Sequence, residues 1–201
     1  MIQIQKINLL IKELNSKNIP VIFFITGTNS VGKTVFTKFL LQKINFYQSY
    51  NLGLISKTLN YFRPDLNKDS IDNFYSNTDI LKIFTDLIKN QTDSYYTNGV
   101  NAIFEGVQID TLKLSSNSKV LGGVILSVND NLAVSRGSKP PTHFNRVVSL
   151  KDIEAVKKTI DYIESDKFIK INNNDSFDST SAQILNHLEK LLIQKIKLCT
   201  N

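Results

Sequence analysis

The residues Gly27-Thr28-Asn29-Ser30-Val31-Gly32-Lys33-Thr34 form an unbroken G-x-x-x-x-G-K-[ST] run, and no other stretch of the chain restricts its fold as tightly. Glycines at both ends let the backbone turn sharply and come close to an anion, which then meets successive N–H groups and the start of a helix. The run carries this meaning only between a strand and a helix. Val21 to Thr26, after Pro20, is a short apolar stretch rich in β-branched and aromatic residues, as a buried parallel strand requires. From Lys33 to Ile44 the spacing predicts a helix with Val35, Phe36, Phe39, Leu40 and Ile44 on one face. In that setting the run reads as a site for a nucleoside triphosphate, ATP with Mg²⁺. Gly27, Thr28, Asn29, Ser30, Val31 and Gly32 would wrap the phosphates, Lys33 would reach the β- and γ-phosphates, and the Thr34 hydroxyl would ligate the metal.

The rest of the chain alternates strand and helix patterns. Ile4, Ile7, Leu10, Ile11 and Leu14 share one face of an N-terminal helix. A second strand is expected at Leu52 to Ser56, then irregular structure from Leu59 to Thr78 with a short helix around Ile71 to Tyr75. An amphipathic helix marked by Ile80, Ile83, Phe84, Leu87 and Ile88 reaches Thr97, with Gly99 as its stop. Strands are expected at Val100 to Phe104, Val120 to Val128 and Phe168 to Ile171, and helices at Leu150 to Glu164 and Ser179 to Lys197. This alternation implies an α/β chain with the P-loop NTPase fold: a mainly parallel sheet of about five strands with helices on both faces. No linker divides the chain. The expected organisation is an N-terminal helix over residues 1–18, packed on or beside a domain at 19–201 that carries a lid at about 130–148.

Hydrophobic residues at 41% and charged residues at 21% are ordinary for a globular chain. The net charge of +6 favours anionic partners such as nucleotides, phosphorylated metabolites or nucleic acid, although the basic residues are spread without a dense block. Cys199 is the sole cysteine, so neither an internal disulfide nor a cysteine zinc site can form. Met1 to Leu14 lacks the continuous apolar core of a signal peptide or membrane span, and a cytoplasmic protein without membrane contact is expected. Asp65 to Asp69 opens like a calcium loop, but Ser70 stands where glycine is needed and Ser76 where the closing glutamate should be.

Two further groups stand out. Glu105 ends the strand before Gly106, and ligands of open α/β sheets bind beyond the carboxyl ends of strands. A carboxylate there can hold a metal's water shell or take a proton from an acceptor, so Glu105 is a candidate for both metal and catalytic work. Its plainer reading is a capping or salt-bridging glutamate. The segment Asp130 to Arg146 is too polar for a core and reads as a lid loop around Pro140-Pro141, bearing Arg136, Lys139, His143 and Arg146. Arg136 and Arg146 would clamp phosphates as charge develops; otherwise the stretch is a solvated basic loop.

Taken in order, these pieces resemble the small P-loop kinases, and most of all the 2-phosphoglycerate kinase family. Phe24 to Thr34 matches that family's strand and Walker A loop, and Phe104-Glu105-Gly106-Val107-Gln108 matches its Ile-Glu-Gly-Val-His-like element. Arg136 to Arg146, the helical stretch Val148 to Ile163 and Lys170-Ile171-Asn172-Asn173-Asn174-Asp175 follow as lid, helix and last strand, so the resemblance spans Val21 to Asp175. It implies transfer of the ATP γ-phosphate to a hydroxyl of a small, phosphorylated metabolite, and it places Asn173 at the nucleotide. The chain departs from the pattern at Ser56-Lys57-Thr58, where such kinases carry an aspartate after the second strand. Gln108 replaces a histidine, and Glu154 stands near where a basic residue is common. Two other readings follow: a nucleotide-binding interaction module or pseudokinase without transfer, and a nucleoside or polynucleotide kinase in which Tyr47, Tyr50, Tyr61 and Phe62 stack on bases. The oligomeric state is open, since the N-terminal helix has a spare face for its own domain or a partner.

Overall fold

The computed structural model of the chain describes residues 2–62, 78–138, 148–160 and 162–200. Five strands, β1 (Ile22–Gly27), β2 (Gln48–Asn51), β3 (Ala102–Glu105), β4 (Gly122–Ser127) and β5 (Phe168–Asn172), form one sheet in the order β2-β3-β1-β4-β5. Every pairing is parallel. The described helices are α1 (Ile2–Ser16), α2 (Lys33–Lys43), α3 (Leu52–Phe62), α4 (Thr78–Thr97), α5 (Thr111–Ser115), α6 (Asp130–Gly137), α7 (Leu150–Thr159) and α8 (Phe177–Leu198).

The central position of β1 follows from its composition. All six of its residues are buried, and because side chains alternate across a strand, Phe23 and Ile25 serve one face while Ile22 and Phe24 serve the other. On the first face they meet α1, α2 and α8 through Ile7, Ile11, Leu14, Phe36, Leu40, Ile184 and Leu188. On the second, Phe24 stacks on Phe104 at 4.8 Å and the layer continues through Leu52, Phe84, Val156 and Phe168. The N-terminal helix is thus part of the core: Ile7, Ile11 and Leu14 are buried, and α1 lies along α8.

The second strand lies earlier than the apolar run at Leu52 to Ser56 suggests. It is Gln48–Asn51, a strand that among the described residues pairs with β3 alone at the sheet edge, and its residues are exposed or half-buried. Edge strands need little apolar character. Leu52, Ile55 and Leu59 recur at helical spacing, and they form the inner face of α3 against the second core layer. Val35, expected on the inner face of α2, is 56% exposed; Phe36, Thr37 and Leu40 define that face.

The helix expected from Leu150 to Glu164 stops at Thr159, with Ile160 in extended conformation. The physical reason is a cross-link formed beyond it: Thr111 Oγ1 donates to the Ile163 carbonyl at 2.9 Å and accepts from the Ile163 N–H at 2.8 Å. Tyr162 also donates its hydroxyl proton to the Val107 carbonyl. The residues after Gly106 hold a short helix, α5, capped by Asp110, which the sequence pattern does not announce. Asp130 to Gly137, read from sequence as lid loop, is the helix α6, capped by Asn129. The helix expected around Ile71 to Tyr75 and the lid residues Lys139, His143 and Arg146 lie outside the described residues.

Candidate functional site

The glycine-rich loop leaves the carboxyl end of β1, between β3 and β4, and feeds directly into α2. Connections from β1 run to one side of the sheet and later strands fill the other, the arrangement at which open α/β sheets bind ligands beyond the strand ends. Two glycines are required here by the backbone. Gly27 has φ +130°, and a Cβ on it would lie 2.1 Å from the Leu126 carbonyl oxygen; Gly32, the N-cap of α2, has φ +96° and would meet Asn173 Nδ2 at 2.8 Å. Between them Ser30 also takes a left-handed conformation, φ +60°. Gly32 offers no side-chain cap, so the first N–H groups of α2 keep the capacity to bind an anion.

Lys33 and Thr34 open α2. The Lys33 ammonium folds back onto the loop, donating to the Gly27 carbonyl at 2.9 Å and the Thr28 carbonyl at 2.6 Å. Burial pushes its pKa down to about 8, and the Glu105 carboxylate nearby opposes that shift. Thr34 Oγ1 donates to Glu105 Oε1 at 3.2 Å. A hydroxyl whose proton goes to a carboxylate keeps its lone pairs for a cation.

Glu105 is 4% exposed at the end of β3. Its Oε1 accepts from Thr34 and from Asn51 Nδ2, while its Oε2 is buried and has no hydrogen-bond partner among the described residues. A buried carboxylate oxygen without a donor is costly, so its surroundings suit a cation or a cation's water. Among the described residues no cluster of three or more His, Cys, Asp or Glu side chains could hold a metal by itself. The donors present, one hydroxyl and one carboxylate, fit Mg²⁺, which keeps waters and takes remaining ligands from phosphates.

Asn51 is the site residue that sequence reasoning missed. It ends β2 in register with Glu105, the strand-end position assigned from sequence to Ser56-Lys57-Thr58, which lie instead inside α3. The residue at the observed strand end is an amide. Asn173 follows β5 and is 6% exposed. Its Nδ2 donates to the Val31 carbonyl at 2.9 Å, its Oδ1 accepts from Thr180, and its carbonyl accepts from Arg136 Nη2 at 3.1 Å. Asn173 therefore supports the loop from behind, and Arg136 reaches the same strand end from α6. Gln108 is buried with its Oε1 unpartnered among the described residues, and Glu154 is exposed on α7.

The fold recurs in solved structures. The gluconokinase from Sinorhizobium meliloti 1021 superposes with a TM-score of 0.59 at 10% identity, over 88% of this chain and 93% of that one. The shikimate kinase from Bacteroides thetaiotaomicron gives 0.53 at 14% identity, over 86% and 98%. The fold is that of the small P-loop kinases. No protein-family model and no curated protein matches the sequence, so the narrower resemblance to 2-phosphoglycerate kinases rests on its motifs. Within the P-loop kinase fold, Thr34 and Glu105 meet where the loop enters α2, and Arg136 is held at the Asn173 carbonyl beyond β5. No described helix is long and apolar enough to cross a membrane.

Proposed function

We propose that this protein is an ATP-dependent phosphotransferase that moves the γ-phosphoryl group of ATP to a hydroxyl of a small, phosphorylated metabolite. The observation that carries the reading is the hydrogen bond from Thr34 to Glu105, because it joins the end of the phosphate-binding run to a carboxylate on the neighbouring strand. Bound Mg²⁺ would neutralise charge on the phosphates. Thr34 and Glu105 would hold it, the loop N–H groups would orient the β- and γ-phosphates, and Lys33 would exchange its two carbonyl partners for phosphate oxygens. Arg136 and Arg146 would add positive charge from the lid side. Catalysis would then be positioning and electrostatics.

The test is ADP release from Mg·ATP, comparing wild type with Lys33→Ala on a panel of phosphorylated hydroxy acids, gluconate, shikimate, nucleosides and oligonucleotides. Turnover with one acceptor class, lowered in Lys33→Ala by about 10²–10³-fold, supports the reading. Equal turnover in the variant would sink it.

One observation favours a second reading. Asn51 presents an amide at the strand end where the resembling kinases carry an aspartate, and an amide cannot take a proton from an acceptor. A nucleotide-binding module without transfer would bind ATP saturably and release no ADP with any acceptor. The exposed Tyr47, Tyr61 and Phe62 keep a base-stacking partner in the panel, whereas Tyr50 packs on Phe104.

A further inference from the structure

We propose that Asn51 is a positioning residue for the divalent cation, coupling α3 to Glu105; the inference rests on the nucleotide-binding reading above. Both ends of its amide are engaged. Its Oδ1 accepts from the Leu54 N–H at 2.9 Å, in the first turn of α3, and its Nδ2 donates to Glu105 Oε1. An amide is not a base, and each end of this one already holds a protein partner, which argues against a direct role in proton transfer.

What the arrangement does is occupy one face of Glu105. With Thr34 and Asn51 both donating to Oε1, the carboxylate is held by two hydrogen bonds on one oxygen, and among the described residues nothing donates to Oε2. Hydrogen bonds to an ionised group are strong, and two of them fix its rotation. The unmet demand of Oε2 is then presented in one orientation, so a cation or its water binds without first ordering the carboxylate. An aspartate at position 51 would instead set two carboxylates against each other, which costs energy unless a proton or cation intervenes. The amide thus gives a site with one fixed carboxylate.

The experiment measures ADP affinity by titration calorimetry with Mg²⁺ and with EDTA, in wild type, Asn51→Ala and Asn51→Ser. The ratio of the two affinities reports how strongly the cation is coupled to the nucleotide. Serine keeps an oxygen that can cap α3 but is too short to reach Glu105, so the pair separates capping from the Glu105 contact. The expected result is a ratio lowered about tenfold in both variants, with ADP affinity in EDTA within about twofold of wild type. If Asn51→Ser keeps the wild-type ratio, the residue serves only as a cap and the proposal is overturned. A loss of affinity equal in Mg²⁺ and EDTA overturns it too, because that marks general damage to the loop. Should Asn51→Ala not fold, Asn51→Ser alone decides between these outcomes. Wild type that binds no ADP in either condition would defeat the nucleotide-binding reading and this inference with it, a result distinct from any change confined to the variants.

Discussion

The hydroxyl of Thr34 donates to Glu105 Oε1 at 3.2 Å, joining two residues 71 positions apart at the start of α2 and the end of β3. If this pair holds the cation, charge at Glu105 matters more than its shape. Glu105→Gln keeps the volume and an acceptor oxygen but removes the charge. We expect ADP release to fall about 10²–10³-fold, with ADP affinity in EDTA changed by less than about threefold. Steady-state kinetics and calorimetry on the one variant check both parts, and unaltered turnover would remove Glu105 from the site.

Lys33 yields a pH prediction whose sign can be worked out. Its pKa in the folded chain is about 8, below the ordinary value of 10.5. Between those values the unfolded chain binds more protons than the folded one, so stability rises with pH across that window, and below about 8 the full penalty for the buried charge is present. Phosphate oxygens at Lys33 would favour its charged form, so nucleotide binding above pH 8 should take up a proton and weaken as pH rises. Calorimetry in buffers of different ionisation enthalpy measures that uptake. We expect it in wild type and not in Lys33→Met; the same uptake in both would assign it to another group.

Gly137 closes α6 against the tip of the loop: a Cβ there would lie 2.7 Å from Ser30 Oγ and 2.7 Å from Val148 Cβ. Gly137→Ala therefore overpacks a junction whose loop partner already holds φ +60°. Overpacking of this kind costs about 1–3 kcal/mol. Thermal unfolding should show that loss, and ADP affinity should fall by roughly tenfold as the loop shifts. A variant with wild-type affinity would show that the loop moves independently of α6.

Much of the fold was legible in the residues themselves. The first strand, its loop and α2 were readable because apolar runs, glycine spacing and helical periodicity are local signals. The edge strand was not: Gln48-Ser49-Tyr50-Asn51 carries no apolar run, and Leu52 to Ser56 looks strand-like until the helical spacing of Leu52, Ile55 and Leu59 is counted. The true end of α7 was also hidden, because it is set by the Thr111–Ile163 cross-link between segments 52 residues apart.

The sequence by itself determined the glycine-rich loop, since its glycines shape the backbone and its lysine and threonine supply side chains within eight consecutive positions. Tertiary structure decided which side chains complete it. Asn51 meets Glu105 across 54 residues and Asn173 meets Val31 across 142. Such pairs exist only because the sheet sets β2 beside β3 and β5 beyond β4, bringing strand ends together that no local pattern links.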